Sequence, residues 1–370
     1  MRMAAVCMAL GITCGFDANA QSNITLYGVV DTNIEYVNHY STVTPSVANG
    51  FATGPAANRV AMMPGGLSGS RWGLRGTEEL GGGLQALFVL ESGFGVDDGK
   101  LQQGGRIFGR QAFVGLNSAM GQLTFGRQYS TMFDTISNFA PSRYATQYEP
   151  AIALLGLGYR ADNSLKYVGK FGGFNLEGHW SFGNGVAGAG EVPGQFRRDT
   201  SYGGAVSYES GPLGFALVYD QYNPTLTASG ATGTFKKVAG AASYAIGDAK
   251  LMGGYRWGRS DGASGDTLLR DNYYWIGVTY QVTAPWGISL AYYYDDVREL
   301  AGNNINNPWQ VTFITNYSFS KRTDVYLTTA YVKNSGINFD TSAINFANGY
   351  FLGQGKNDMF AAAIGIRHKF

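Results

Sequence analysis

Five arginines are placed so that they could act together. Arg71 and Arg75 lie four residues apart, as do Arg106 and Arg110, and in an extended chain even separations put side chains on one face. Arg160 adds a fifth, with Ser164 and Lys166 on its parity. A row of fixed guanidinium groups attracts anions, and the groups repel one another unless carboxylates oppose them. Two acids stand in a long segment nearby, residues 128–161: Asp134 and Glu149, flanked by Tyr129, Tyr144 and Tyr148. An unstructured stretch of that length usually has a function. Set across a narrow gap from the arginines, the two acids would create a transverse field. The plainer alternatives are a solvated arginine face, a turn role for Asp134 and an exposed position for Glu149 ahead of Pro150. Glu91 falls on the arginines' face, and Asp31 and Glu35 share a face of the first strand. These three are expected to pair with cations and fix rotamers.

Catalysis has less to work with. The histidines are His39, His179 and His368, and no two have metal-ligand spacing. The run GLGYRA at residues 156–161 fits G-x-G-x-x-A formally, but it follows no apolar strand and opens no helix. Neither an enzyme, a cofactor nor a metal is expected. A formal net charge of +1 gives no sign of nucleic-acid binding.

The elements that must carry these residues alternate. Ile24, Leu26 and Gly28 oppose Thr25, Tyr27, Val29 and Asp31; Trp72 and Leu74 oppose Arg71, Gly73 and Arg75; Leu176 and Trp180 oppose Glu177 and His179. Period two means strands with unlike faces. Sixteen candidate strands of about ten residues follow, the length of a tilted membrane crossing. Short turns alternate with long loops, including residues 38–66, 128–161, 183–199, 260–271 and 334–357. Charged residues are only 14 %, against about 25 % in ordinary soluble domains. Tyr, Trp and Phe gather at strand ends on the apolar face, as in aromatic girdles. The opposite face holds charges that a solid core would reject and a water-filled lumen accepts. Lipid outside forces such a sheet to close. The expected fold is all-β: a transmembrane antiparallel β-barrel of sixteen strands, with short periplasmic turns and long extracellular loops. Residues 1–20 read as a Sec signal peptide ending in Ala18-Asn19-Ala20, and they hold both cysteines, Cys7 and Cys14. Residues 21–370 would be the barrel.

ITLYGVVD (24–31), SRWGLRGTEELGGGLQALFVLESGF (70–94), RQAFVGL (110–116), GQLTFGRQY (121–129) and the terminal IRHKF (366–370) together resemble the general-diffusion porins of Gram-negative outer membranes, particularly those of β-proteobacterial type. The resemblance spans the chain beyond the leader. It implies a homotrimer in the outer membrane that passes ions and small hydrophilic solutes, with the third loop, residues 128–161, folded into the pore. It implies that Arg71, Arg110 and Arg160 most closely match the basic wall of the eyelet. It also implies that Phe370 closes the last strand on the first and is read by the barrel-assembly machinery. The third loop lacks the PEFGG-like run of enteric porins and is poor in acids, so weak anion selectivity is expected. The alternative is a substrate-selective channel with a saturable sugar or organic-anion site. Arg197, Arg198, Lys236 and Lys237, expected in loops, could meet lipopolysaccharide phosphate.

Overall fold

The computed structural model describes residues 23–142, 144, 147–184, 190–303, 305–340 and 349–370. The expected leader, residues 1–20, lies outside them. In chain order the strands are β1 (Asn23–Ser41), β2 (Ala56–Pro64), β3 (Arg71–Gly81), β4 (Leu84–Gly93), β5 (Gln111–Ser118), β6 (Gly121–Tyr129), β7 (Arg160–Phe171), β8 (Phe174–Ser181) and β9 (Ser201–Ser210). They continue as β10 (Leu213–Tyr222), β11 (Thr234–Ile246), β12 (Ala249–Asp261), β13 (Thr267–Thr283), β14 (Trp286–Leu300), β15 (Trp309–Ser318), β16 (Thr323–Lys333) and β17 (Asp358–Lys369). From β3 onward each pairs antiparallel with the next, β2 and β3 both pair antiparallel with β1, and β17 returns to β1 with Val29 opposite Lys369 and Val37 opposite Ala361. The sheet is therefore a closed barrel. Phe370 completes the seam: its N–H donates to Gly28 O at 3.1 Å, and Gly28 N–H donates to Phe370 O at 3.0 Å. Its ring covers Gly28, where a Cβ would collide with it.

Seventeen strands make sixteen staves, because β2 and β3 share one. β2 pairs with the second half of β1 and β3 with the first half. Between them the ladder breaks at Pro64, which has no N–H, and at Gly65, whose φ is +75°. Asp31 stands in for the missing ladder. Its carbonyl accepts from Gly65 N–H at 2.8 Å, and its N–H donates to Ser70 Oγ at 2.9 Å. Its carboxylate accepts from the N–H groups of Gly66, Leu67 and Ser68 at 3.0, 3.0 and 2.8 Å, and from Tyr326 Oη at 2.6 Å.

The two faces separate as alternation requires. Ile24, Leu26 and Ile34 point outward and are exposed, while Asp31, Asn33 and Glu35 between them are buried inside. Outward aromatics form two bands on β7 to β17. Phe171, Tyr208, Tyr244 and Tyr280 lie towards the short turns, and Tyr219, Tyr255, Tyr274 and Tyr292 lie towards the long loops. On β1 to β6 the outward face is mainly aliphatic, with Val60, Met62, Val114, Leu116 and Leu123 exposed. Several strands outrun the expected length: β13 has 17 residues and β14 has 15. The loop expected over residues 260–271 is mostly strand, closed by a turn at 262–266, and Lys236 and Lys237 belong to β11 rather than a loop. Cross-strand pairing carries these polar ends beyond the girdle, where water accepts their side chains. Among the described residues no helix is long and apolar enough to cross a membrane.

Asp31→Ala leaves one buried amide, two half-buried amides and a tyrosine hydroxyl without an acceptor. At about 1–3 kcal/mol per orphaned group, with partial relaxation, the barrel should lose about 3–5 kcal/mol. Urea unfolding in lipid vesicles, followed by tryptophan fluorescence, reads this directly. A loss under about 1 kcal/mol would show that the broken stave does not depend on Asp31.

Candidate functional site

Four of the five arginines border the lumen on one arc of the barrel, at alternate strands. Arg71 and Arg75 lie on β3, Arg110 precedes β5 and Arg160 opens β7. Glu91, inward on β4, ties two of them: Arg110 Nε donates to Oε1 at 2.7 Å, and Arg71 Nε lies 3.5 Å from Oε2. Tyr27 Oη donates to the same carboxylate at 3.1 Å, and its ring lies 5.2 Å from the Arg75 guanidinium. Tyr129 joins the other pair. Its hydroxyl accepts from Arg110 Nη2 at 2.9 Å and from Arg160 Nη2 at 3.2 Å. Arg160 also donates to Tyr159 Oη at 2.8 Å. Arg106 is absent from this wall. It sits in a loop and pairs with Asp162 at 2.7 Å, beside Arg127. Residues 106–109 turn back on themselves, Gly109 N–H donating to Arg106 O at 3.3 Å, so the strand parity that had placed Arg106 inward does not hold there.

The described residues of this segment, 130–142, 144 and 147–159, run along the inside of the barrel opposite these arginines. Two short helices form, α1 (Thr131–Ile136) and α2 (Ala151–Leu155). Ser130 caps α1, its side chain accepting from Phe133 N–H. The segment is bonded to inward residues of many strands. His179 on β8 takes the Thr131 N–H at 3.2 Å. Trp275 on β13 donates to Phe139 O at 2.9 Å, and Ser289 on β14 donates to Pro141 O at 2.6 Å. Gly277 lets Pro141 lie against β13, since a Cβ there would collide with its ring. Gln310 and Thr312 on β15 donate to Tyr148 O at 3.1 and 2.9 Å. The strongest tie is Glu35 on β1, fully buried. One oxygen accepts from Gln147 Nε2, Tyr148 Oη and Tyr350 Oη at 2.9, 2.9 and 2.6 Å. The other accepts from Arg59 Nη2 at 2.6 Å.

The acids of this segment do not face the arginines. Glu149, expected opposite them, is buried against β14, where its Oε1 accepts from Tyr293 Oη at 3.2 Å. Ser142 bonds the same tyrosine at 2.7 Å. Burial pushes the Glu149 carboxyl up to about 7, with the Ser142 and Tyr293 hydroxyls working against that rise. Asp134 pairs with Lys166, which also meets Glu177 at 2.9 Å. Asp31, expected to pair with a cation, serves the broken stave instead. Between the segment and the arginines lies a cavity of about 310 Å³, bordered by Arg110, Arg160, Gln147, Tyr159, Asn338 and Tyr350. Asn338 and Tyr350 come from the last loop, and Gln102 and Gln103 from the second. These four carry no local sequence signal.

A closed β-barrel with an apolar outer face, a polar lumen and a loop laid inside it defines a membrane channel. The Gram-negative porin family model matches residues 4–337. The outer membrane porin protein of Bordetella pertussis is 31 % identical over 98 % of this chain and 99 % of its own. Outer membrane porin protein 32 of Delftia acidovorans is 31 % identical over 95 % of each chain. The anion-selective porin from Comamonas acidovorans superposes with a TM-score of 0.76 at 27 % identity, covering 95 % of this chain and all of that one. The chain belongs to the Gram-negative porin family. It is an outer-membrane channel for passive diffusion.

Two measurements follow from the loop's attachments. Glu35→Ala removes the acceptor of three groups and strands the Arg59 guanidinium, a change of about 3–5 kcal/mol. The loop should loosen, and single-channel current should become larger and noisier; unchanged current would mean the other ties suffice. Glu149 gives a pH dependence. Its folded pKa lies above the unfolded value, so the folded state binds the extra proton between about 4.5 and 7. The attachment is fully present below that window and weakens as pH rises through about 7. Hydrogen exchange over residues 147–155, corrected for intrinsic rates, should be slower at pH 5 than at pH 8. Glu149→Gln should abolish the difference and remain protected at pH 8.

Proposed function

We propose that the channel passes small hydrophilic solutes with a weak preference for anions, and that its waist lies between residues 130–159 and the arginine wall. The observation that carries this is the charge imbalance. Arg71, Arg75, Arg110 and Arg160 border the lumen, and among the described residues Glu91 is the one carboxylate ion-paired with any of them. Asp134 and Glu149 are engaged elsewhere. The field at the waist is therefore net positive, and it acts on ions stripped of part of their hydration. The anion-selective porin from Comamonas acidovorans agrees in sign. The amide- and hydroxyl-lined cavity beside Arg160 also suits the second reading, a saturable organic-anion site; solute-induced current noise would favour it.

We further propose a homotrimer joined through the aliphatic arc of β1 to β6, where the aromatic bands are weakest. Phe370 would be read during assembly, and Arg197 and Arg198 would meet lipopolysaccharide phosphate at the rim.

The test is a planar-bilayer recording of the refolded protein in a potassium chloride gradient. Openings should come in threes, with a reversal potential favouring chloride. Removing one guanidinium changes a screened field by about 0.5–1 kcal/mol. Arg110→Ala and Arg160→Ala should therefore each lower the chloride-to-potassium permeability ratio roughly two- to five-fold, and Arg110→Ala should also raise conductance. An unchanged reversal potential in both variants would remove the wall from the mechanism.

A further inference from the structure

Val218, Trp275, Ala291 and Val332 point into the barrel and pack with Phe139, Tyr148 and Phe339 of the third and last loops as one buried cluster. Three other inward apolar side chains stand outside that cluster. Leu87 and Val89 on β4 and Phe113 on β5 share the inward parity of Glu91 and Gln111, and they are only half-buried. They line a cavity of about 280 Å³ with Thr25, Thr77, Gln122 and Arg75, on the short-turn side of the arginine wall. No described residue of the third loop borders it.

Strand register makes this lining one strip. Thr25 on β1 stands opposite Arg75 on β3, Arg75 opposite Val89, and Val89 opposite Phe113. Directly opposite residues lie about 5 Å apart, so Arg75 adjoins Val89, and Phe113 is one strand further. Among the described residues of the lining, Arg75 is the one charged side chain. It is exposed to the lumen, and among the described residues no carboxylate is ion-paired with it. The carboxylates nearest along the same face are engaged. Glu91 is held by Arg71, Arg110 and Tyr27, and Glu79 accepts from Gln85. An apolar strip in water is stabilised when something covers it, and the guanidinium beside it attracts a negative group.

We propose that this strip binds small organic anions that carry an apolar ring or chain. The carboxylate sits on Arg75, and the body lies across Val89 and Phe113. An inorganic anion would use the guanidinium and leave the strip uncovered. An organic cation would meet a like charge, and a sugar would set its hydroxyls against Val89 and Phe113. The proposal rests on the reading of the lumen as open to anions. It goes beyond a weak preference at the waist, because this site chooses among anions by the body they carry.

The test uses the full refolded barrel in detergent micelles and three probes: benzoate, acetate, which lacks the ring, and benzyl alcohol, which lacks the charge. Calorimetry, referenced to protein-free micelles, should show saturable binding of one benzoate per chain, about ten-fold or more tighter than either control. Arg75→Gln should weaken benzoate about ten-fold. Arg75 also belongs to the wall, so two variants that change no charge provide an independent check. Phe113→Ser and the near-isosteric Val89→Thr should each weaken benzoate about three- to ten-fold, in barrels of unaltered heat-modifiable mobility. If Phe113→Ser does not fold, Val89→Thr decides. Absence of saturable benzoate binding, equally tight binding of acetate or benzyl alcohol, or benzoate binding undiminished in either folded variant would each overturn the proposal. Reversal potentials in potassium chloride report on the waist without benzoate, so the two readings can fail independently.

Discussion

Hydrocarbon offers the backbone no hydrogen-bond partner, and the rest of this structure depends on that constraint. Each N–H and C=O in the membrane must find its partner within the sheet, so the sheet must close. The seam shows how strictly. Pairing runs to the last residue, where Phe370 and Gly28 exchange both backbone bonds. Where the ladder fails, between β2 and β3, one residue supplies what the strand cannot. The N–H, C=O and carboxylate of Asp31 all serve the break. Closure also creates an inner face that lipid cannot reach, and only there can charged residues line a membrane protein at acceptable cost.

That inner face explains how a loop can be held inside a pore. A free loop of this length would not lie in one place, because its ordering costs about 1–2 kcal/mol per residue. The wall supplies an answering set of donors and acceptors from β1, β8, β13, β14 and β15. The lumenal acids are largely engaged in this work. Glu35 holds the third and last loops together, Asp134 holds α1 through Lys166, and Glu149 is shut in behind Ser142 and Tyr293. Under the proposed reading, charge selection would arise by subtraction. The acids that could have balanced the arginines hold the scaffold, so the arginines are left in excess.

Alternation made the barrel legible in the sequence, because parity inside a strand is fixed by the pleat. Arg71, Arg75 and Glu91 could be placed on one face for that reason. Parity fails once the chain leaves the strand. Arg106 opens a turn, its carbonyl accepting from Gly109 N–H, so its even spacing from Arg110 carried no information there. Arg160 kept its neighbourhood because it opens β7 directly. The fate of Glu149 was not legible at all. Its partner Tyr293 is 144 residues away, and nothing within the loop marks which acid turns to the wall. The break in the second stave was hidden for a similar reason. Pro64 and the glycines after it read as the end of a loop, whereas the ladder resumes beyond them because Asp31, on another strand, bonds their backbone.

The arginine wall raises a question of its own: how like charges stay close together. Glu91 answers for Arg71 and Arg110. Among the described residues no carboxylate pairs with Arg160, and aromatic groups take that role. Its guanidinium lies 4.8 Å from the ring centre of Tyr129 and 4.6 Å from that of Tyr159, in cation–π range. Both hydroxyls accept its protons, and the Tyr129 hydroxyl accepts from Arg110 as well. The rings are fixed in turn, since Phe133 stacks on Tyr129 at 4.0 Å, on Tyr144 at 5.1 Å and on Tyr159 at 5.5 Å. Phe133 belongs to α1, the helix that Ser130 caps and Lys166 tethers. The same stack that neutralises part of the repulsion therefore fastens the start of the loop to the wall it faces. Neutral acceptors hold the guanidinium in place without cancelling its charge, which a carboxylate would do. The proposed waist and its proposed net positive field would thus be two results of one arrangement, and substituting an acid for Tyr129 would keep the first at the expense of the second.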